Sequence, residues 1–456
     1  MNKHYSLLAS SLLAISTLSF GVVAAVSPEK AAELGKSLTP LGAEMAGNAD
    51  GTIPPWTGGL TQVPASYQGG TALTDPFADE KPLFTISAAN VDQYQDKLTP
   101  GQVALLKKYP DTLSFPVYQT HRTVALPQFI YDYAKENATK AQLVSGGNGI
   151  AGVKDYVPFP IPNNAVEIVW NHITRYRGGS VERTSVQAPV LRNGDYTPIK
   201  AIDRFVWPTS MKEPKDDKKD DNVLFYYTLE VLEPSRLTGN VLLVHETMDQ
   251  VKEARRAWVY NAGQRRVRRA PQVAYDGPGF AADGQRTSDQ LDMYNGAPDK
   301  YNWELKGKQE LYIPYNAFRL ANKELSYDDI LLPGHLNPEH LRYELHRVWV
   351  VEGTVKDDER HVYAKRTIYV DEDSWQAAVI DHYDARGELW RVQEAHELQY
   401  YNVTVPWMAA EVLHDLTNGR YMALGLTNEE KVGLDFDFLA SRRDFTTSAL
   451  RRKGKR

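Results

Sequence analysis

Residues 181–205 read VERTSVQAPVLRNGDYTPIKAIDRF, and their reading decides the fold. Two β-prone runs, Val181–Leu191 and Tyr196–Phe205, flank Asn193-Gly194, the residue pair that tolerates the positive φ angles of a tight hairpin turn. Moving outward, Val223–Leu232 and Val241–His245 are apolar runs joined across Glu233-Pro234-Ser235 and Gly239-Asn240. Ala257–Tyr260 matches Arg265–Arg269 around Asn261-Ala262-Gly263-Gln264. Three hairpins in succession predict an antiparallel meander. A Gly-, Asp- and Asn-rich connector covers Tyr275–Tyr301, and strands resume at Leu345–Val355, Val362–Val370, Trp375–Tyr383, Leu389–Leu398 and Tyr401–Val405. The expectation is an α+β, mainly β chain with about eleven strands in two blocks. No repeat of fixed period supports a propeller or solenoid.

Upstream the grammar is different. Residues 1–25 read as an export signal: Lys3 and His4 lead, Ser6 to Val23 is apolar, and Val23-Ala24-Ala25 offers small residues for cleavage after Ala25. Residues 26–85, rich in Gly and Pro, form an extended arm with Trp56 as its anchor. Residues 86–165 carry helix signals. Thr99-Pro100 caps one amphipathic helix, Pro127 opens a second running to about Leu143, and Gly146-Gly147-Asn148-Gly149 closes it. Residues 166–440 are assigned to the sheet and 441–456 to a basic tail, in which seven basic residues stand against Asp444. That tail is read as solvated, with docking on anionic head groups as its alternative.

Composition narrows the function. The chain has 456 residues, 52 basic and 58 acidic, for a net charge of -6, which argues against a nucleic acid partner. Cysteine is absent, removing thiol nucleophiles, disulfides and thiolate metal sites. Beyond the first 25 residues no apolar run is long enough to span a bilayer, so the expected protein is soluble and periplasmic with only peripheral membrane contact. Residues 213–221, Glu-Pro-Lys-Asp-Asp-Lys-Lys-Asp-Asp, mix acidic and basic residues as a solvated loop tip does.

Catalytic signatures are missing: there is no Gly-x-Ser-x-Gly elbow, phosphate loop, dinucleotide fingerprint, His-Glu-x-x-His helix or calcium loop. His335, His340 and His346 share no helical face, so no metal site is assigned, and no cofactor is expected. His245-Glu246 and His396-Glu397 are strand neighbours pointing to opposite faces. Trp170–Gly178 is the densest group of site-like residues; Asn171, His172 and Arg175 could bind a carboxylate or polarise a carbonyl, and a capped turn with His172 satisfied by backbone explains them equally well. Six arginines surround the turn after Tyr260, with Arg256, Trp258 and Tyr260 on one side of their strand and Ala257 and Val259 on the other. They read as a charged edge hairpin, or as head-group contacts through Arg256, Arg266 and Arg268.

The pattern Arg256-Ala257-Trp258-Val259-Tyr260 with Arg265-Arg266-Val267-Arg268-Arg269-Ala270-Pro271, followed by Glu324-Leu325-Ser326-Tyr327-Asp328-Asp329-Ile330, resembles the outer-membrane lipoprotein-sorting group typified by LolA. Ala46-Gly47-Asn48-Ala49-Asp50-Gly51-Thr52-Ile53-Pro54-Pro55-Trp56 and Trp170-Asn171-His172-Ile173-Thr174-Arg175-Tyr176-Arg177-Gly178 look more narrowly like a family of LolA-like exported proteins of Gram-negative bacteria. The resemblance covers essentially the whole chain after the export signal. It implies a curved antiparallel half-barrel with helices closing its concave face over a lipid-sized cavity. It also implies work beside an outer-membrane β-barrel protein and an inner-membrane transporter of the resistance–nodulation–division (RND) type.

One physical point agrees. Carrying about fifteen methylenes through water costs about 12 kcal/mol at about 0.8 kcal/mol each, so a carrier needs an apolar concavity. Phe225, Tyr227 and Leu229 share one strand face, as do Trp349 and Val351, and Trp375 lies on a third strand. These residues, with Trp258, Tyr260 and Trp56, are the expected walls of a non-enzymatic carrier for a hydrophobic, lipid-like ligand. A secreted hydrolase or glycan-active enzyme is the alternative; it would need two carboxylates about 5 to 10 Å apart in an open groove. An outer-membrane barrel is disfavoured by charges on both faces of many strands.

Overall fold

The hairpin predicted at Asn193-Gly194 is present, with Val190 bridging to Tyr196 and Gly194 at φ +92°. The computed structural model that shows it describes residues 25–70, 72–270 and 275–454; the export signal, apart from Ala25, lies outside the described residues. In chain order, α1 (Pro28–Ala31), β1 (Phe84–Ser87), α2 (Pro100–Lys108), β2 (Ser114–Val117), α3 (Gln128–Asn137), β3 (Gln142–Val144), β4 (Gly149–Ala151) and α4 (Ala165–Thr174) come first. A first meander follows: β5 (Ser180–Val190), β6 (Ile199–Val206), β7 (Val223–Val231), β8 (Val241–Thr247), β9 (Arg256–Asn261) and β10 (Arg266–Arg269). The second comprises β11 (Tyr301–Pro314), then α5 (Tyr327–Ile330), β12 (Tyr343–Val355), β13 (Lys365–Asp371), β14 (Ala377–Tyr383), β15 (Leu389–Tyr400), β16 (Val405–Asp415) and β17 (Tyr421–Leu426). The short β18 (Leu434–Asp435) and α6 (Thr447–Lys453) end the described chain.

Both meanders are antiparallel, and they join where β17 pairs with β5, Tyr421 opposite Val190 and Leu426 opposite Val186. The result is one curved, open sheet of sixteen strands, running from β11 beside β12 to β10 at the far edge. The class is the expected one, but the strand count of about eleven is too low. β11 pairs along its whole length with β12, from Tyr301 opposite Val355 to Pro314 opposite Tyr343, and β17 is a further strand. Tyr401–Thr404 is a turn, and the strand begins at Val405. The strand pattern starts at Ser180, not at about residue 166: residues 165–174, nearly all of them assigned to the sheet, are the buried helix α4. α3 stops at Asn137, and the chain then makes the small β3–β4 hairpin.

The two faces of the first meander are covered differently. Phe225, Tyr227, Leu229, Ala257 and Val259 belong to the main core. Val223, Tyr226, Leu243 and Tyr260 face the other way and pack under Phe445 and Leu450, so the basic tail is partly a folded helix, α6, on that outer face. The arm is tied to the body by Trp56 Nε1 donating to the Val124 carbonyl (3.0 Å) and by Arg122 Nη2 donating to that of Glu44 (2.8 Å).

α2 is the predicted helix with its predicted cap, Thr99 and Gln102 satisfying each other's backbone amides. Its first turn sits on the buried Asp381, which accepts from Gly101 N (3.1 Å) and Thr99 Oγ1 (3.2 Å), while Gln102 Nε2 donates to Glu394 (3.1 Å). Burial pushes the carboxyls of Asp381 and Glu394 each up to about 7, against the lowering effect of those donors. Between about pH 4 and 7 the folded chain therefore keeps protons that the unfolded chain has released, and stability falls as pH rises through that window. The Asp381→Asn/Glu394→Gln double variant should show a flatter profile than wild type in urea unfolding from pH 5 to 8.

Candidate functional site

Alternation on β7, β8 and β9 brings Phe225, Tyr227, Leu229, Leu242, Val244 and Val259 to one face. Ala270, Pro278, Phe280 and Leu291 lie across from them and enclose an apolar lobe of about 150 Å³. A smaller lobe of about 60 Å³ adjoins it, lined by Ile199, Ala201, Phe205, Trp407 and Leu424 and by the polar Arg177, Arg183, Asp203, Asp292 and Glu411. Tyr227, Leu229, Arg286 and Leu291 line both. This is less than the lipid-sized cavity implied by the resemblance, because the protein's own chain fills much of the space. Strands from both meanders form the wall, and segment 275–300 and α4 occupy the concavity.

Segment 275–300, read as a connector, is held by buried polar contacts. Thr287 and Gln290 cap each other. Asp289 accepts from Arg366 (2.9 Å) and contacts His361 Nε2 (3.0 Å), and Arg366, followed by His361, holds its carboxyl well below the usual range despite burial. Gln290 Nε2 donates to Gln393 (3.1 Å). Met293 and Tyr294 are fully buried. Asp292 takes both Arg175 and Arg177, whose guanidinium also stacks 4.2 Å from the Phe205 ring.

α4 explains why those arginines stand there. Asn164 caps it, Trp170 Nε1 donates to the Gly147 carbonyl (2.9 Å), and Asn171 clamps both backbone groups of Phe159. His172 accepts from Ala377 N at Nδ1 (3.0 Å), and its Nε2 lies 3.0 Å from the Asp292 carbonyl. Burial, helped by Arg175 and Arg177, lowers its pKa far below normal, so it is neutral. The backbone-satisfied reading of His172 matches this geometry, and the cluster anchors the segment that fills the hollow.

Of the residues expected to form walls, Phe225, Tyr227 and Leu229 line the hollow. Trp258 and Tyr260 face the opposite side with α6, because their strand alternates and Ala257 and Val259 take the inner positions. Trp349 stacks near Trp375 (6.5 Å between centroids) under Lys308, and Val351 is buried in core; neither tryptophan reaches the hollow, and Trp56 lies on the arm. Arg256 pairs with Glu253, Arg266 and Arg268 are exposed on β10, and Arg175 is committed to Asp292 and Gln376. His346 meets neither His335 nor His340; it stands with Asp371 and Asp373, buried, where both Asp373 oxygens already accept from Arg122. Sequence reasoning missed Leu242, Val244, Arg286, Leu291 and Glu411; the face of Ala257 and Val259 was the available signal for the inner side.

The family model described as "Protein of unknown function (DUF1329)" matches residues 85–451. The chain belongs to the DUF1329 family. It is 58% identical over 450 residues to the uncharacterized Pseudomonas aeruginosa protein PA3922, covering 99% of both chains. Among solved structures it is similar to a DUF1329 family protein from Desulfovibrio piger, with 16% identity, 63% of this chain and 95% of that one covered, and a TM-score of 0.43. It is also similar to the LolA superfamily protein NE2245 from Nitrosomonas europaea, with 14% identity, 63% and 100% covered, and a TM-score of 0.37. No helix among the described residues is long and apolar enough to cross a membrane.

Asp292→Ala leaves two buried guanidinium groups without their shared carboxylate, a change worth about 3–5 kcal/mol for a buried pair. Urea unfolding should show that loss, with faster amide exchange concentrated in residues 285–297.

Proposed function

We propose that this DUF1329 protein is a non-enzymatic periplasmic carrier that binds a hydrophobic, lipid-like ligand in the hollow and passes it between envelope partners. The observation that carries this reading is the apolar lobe between β7, β8, β9 and segment 275–300, which leaves about 150 Å³ unfilled against the inner face of the sheet. A void of about that size takes a benzene-sized group, so a longer chain requires segment 275–300 to give way. The resemblance supplies the partners of the proposal, an outer-membrane β-barrel protein and an RND-type inner-membrane transporter. Membrane contact is peripheral and runs through Arg451 and Arg452, which α6 leaves exposed.

Among the described residues, every carboxylate that lines the hollow has a partner, which supports a carrier over a glycan-active enzyme. Asp203 accepts from Arg183 (3.0 Å), Asp292 is held by Arg175 and Arg177, and Glu411 accepts from Gln393 Nε2 (2.7 Å). Each has a structural partner where an acid–base pair needs access to a bond.

Mass spectrometry of organic extracts from protein purified out of its native periplasm should reveal an apolar-tailed molecule near one equivalent. Leu242→Trp, which fills the lobe, should abolish that signal while the variant still folds by circular dichroism. Extracts free of such a molecule, together with an apolar dye that binds wild type and Leu242→Trp alike, would exclude the reading.

A further inference from the structure

The arginines of the hollow are not equivalent. Arg177 is paired with Asp292, Arg183 with Asp203, and Arg255 with Glu246 (2.7 Å). Arg286 is buried, lines both lobes, and among the described residues its guanidinium has no hydrogen-bond or ion-pair partner; its Nε is fully enclosed and unsatisfied. The carboxylate acting on it most strongly is Glu411, which is beyond ion-pair distance and already engaged by Gln393. A guanidinium keeps its charge even when buried, so a site that leaves one unpaired beside an apolar void lacks an anion.

We propose that the ligand of the hollow is an aliphatic carboxylate, its head group held by the Arg286 guanidinium where the lobes meet and its chain lying along Leu242, Val244 and Val259. This rests on the carrier reading and names its cargo class. The planar fork of arginine matches the two oxygens of a carboxylate. A phosphate monoester, with a charge of about -1.5 to -2 at neutral pH, would meet repulsion from Asp203 and Glu411 that a single charge meets less strongly. The chain needs only the apolar wall of Phe225, Val259 and Phe280, which makes no polar demand on it.

Isothermal titration of the delipidated full-length mature protein with octanoate, octan-1-ol and octyl phosphate tests this. Wild type should bind octanoate at least tenfold more tightly than octan-1-ol, and octyl phosphate more weakly than octanoate. Arg286→Gln should bring octanoate down to the affinity of the alcohol, and Arg286→Lys should restore part of the difference. If Arg286→Gln does not fold, Glu411→Gln takes its place: the preference for octanoate over octan-1-ol should widen. Equal binding of acid and alcohol by wild type, discrimination that survives Arg286→Gln, tighter binding of octyl phosphate, or a preference that Glu411→Gln does not widen overturns the inference. Binding of the alcohol in those cases leaves the carrier standing, whereas failure of all three probes to bind removes both.

Discussion

The ladder between β5 and β17 is the constraint on which the rest depends. It sets the first strand of one meander beside the last strand of the other, so two blocks far apart in sequence share one sheet and one concave face. Each block alone would expose an apolar face. Joined, they enclose a space that neither defines: Phe225, Leu242 and Val259 come from one meander, Trp407, Glu411 and Leu424 from the other. Antiparallel pairing over this separation carries a loop-closure cost that only the shared core can offset.

That core is unusually ionic for an apolar hollow. Arg366 with Asp289, Arg122 with Asp373, and Arg342 with Glu344 are buried pairs, and the buried Arg175 and Arg177 meet the partly exposed Asp292. Buried pairs add little net stability over apolar packing, yet breaking one is costly, so they fix where segments lie more than how tightly the chain folds. The pairs at Asp289 and Asp292 do this for segment 275–300, which has no regular ladder of its own.

Much of the fold was legible, and its gaps have physical causes. The hairpins of the first meander and the capped α2 follow from turn chemistry and capping, which act over a few residues. β11 escaped because it presents exposed polar residues at Asn302, Glu304, Lys306 and Gln309, and the bulge between Leu305 and Gly307 breaks the alternation that would mark a strand. α4 escaped for the opposite reason: buried on nearly every side, it has no polar stripe to mark a helical period. At the site, alternation placed Phe225, Tyr227 and Leu229 on a common face but could not say which face of β9 turns inward, and the larger side chains of Trp258 and Tyr260 drew attention to the outer one. Arg286 and Leu291 sat in a Gly- and Asp-rich stretch whose composition signals a loop whether it runs through solvent or through the middle of the molecule.

Segment 275–300 also gives the molecule an internal stopper. Because segment 275–300 lies in the concavity, Phe280 and Leu291 cover part of the apolar wall of β7, β8 and β9. In the proposed carrier, a guest would compete with Phe280 and Leu291 for the same place. On that reading, loading and discharge would be a local exchange between two occupants rather than the opening of a bare trough.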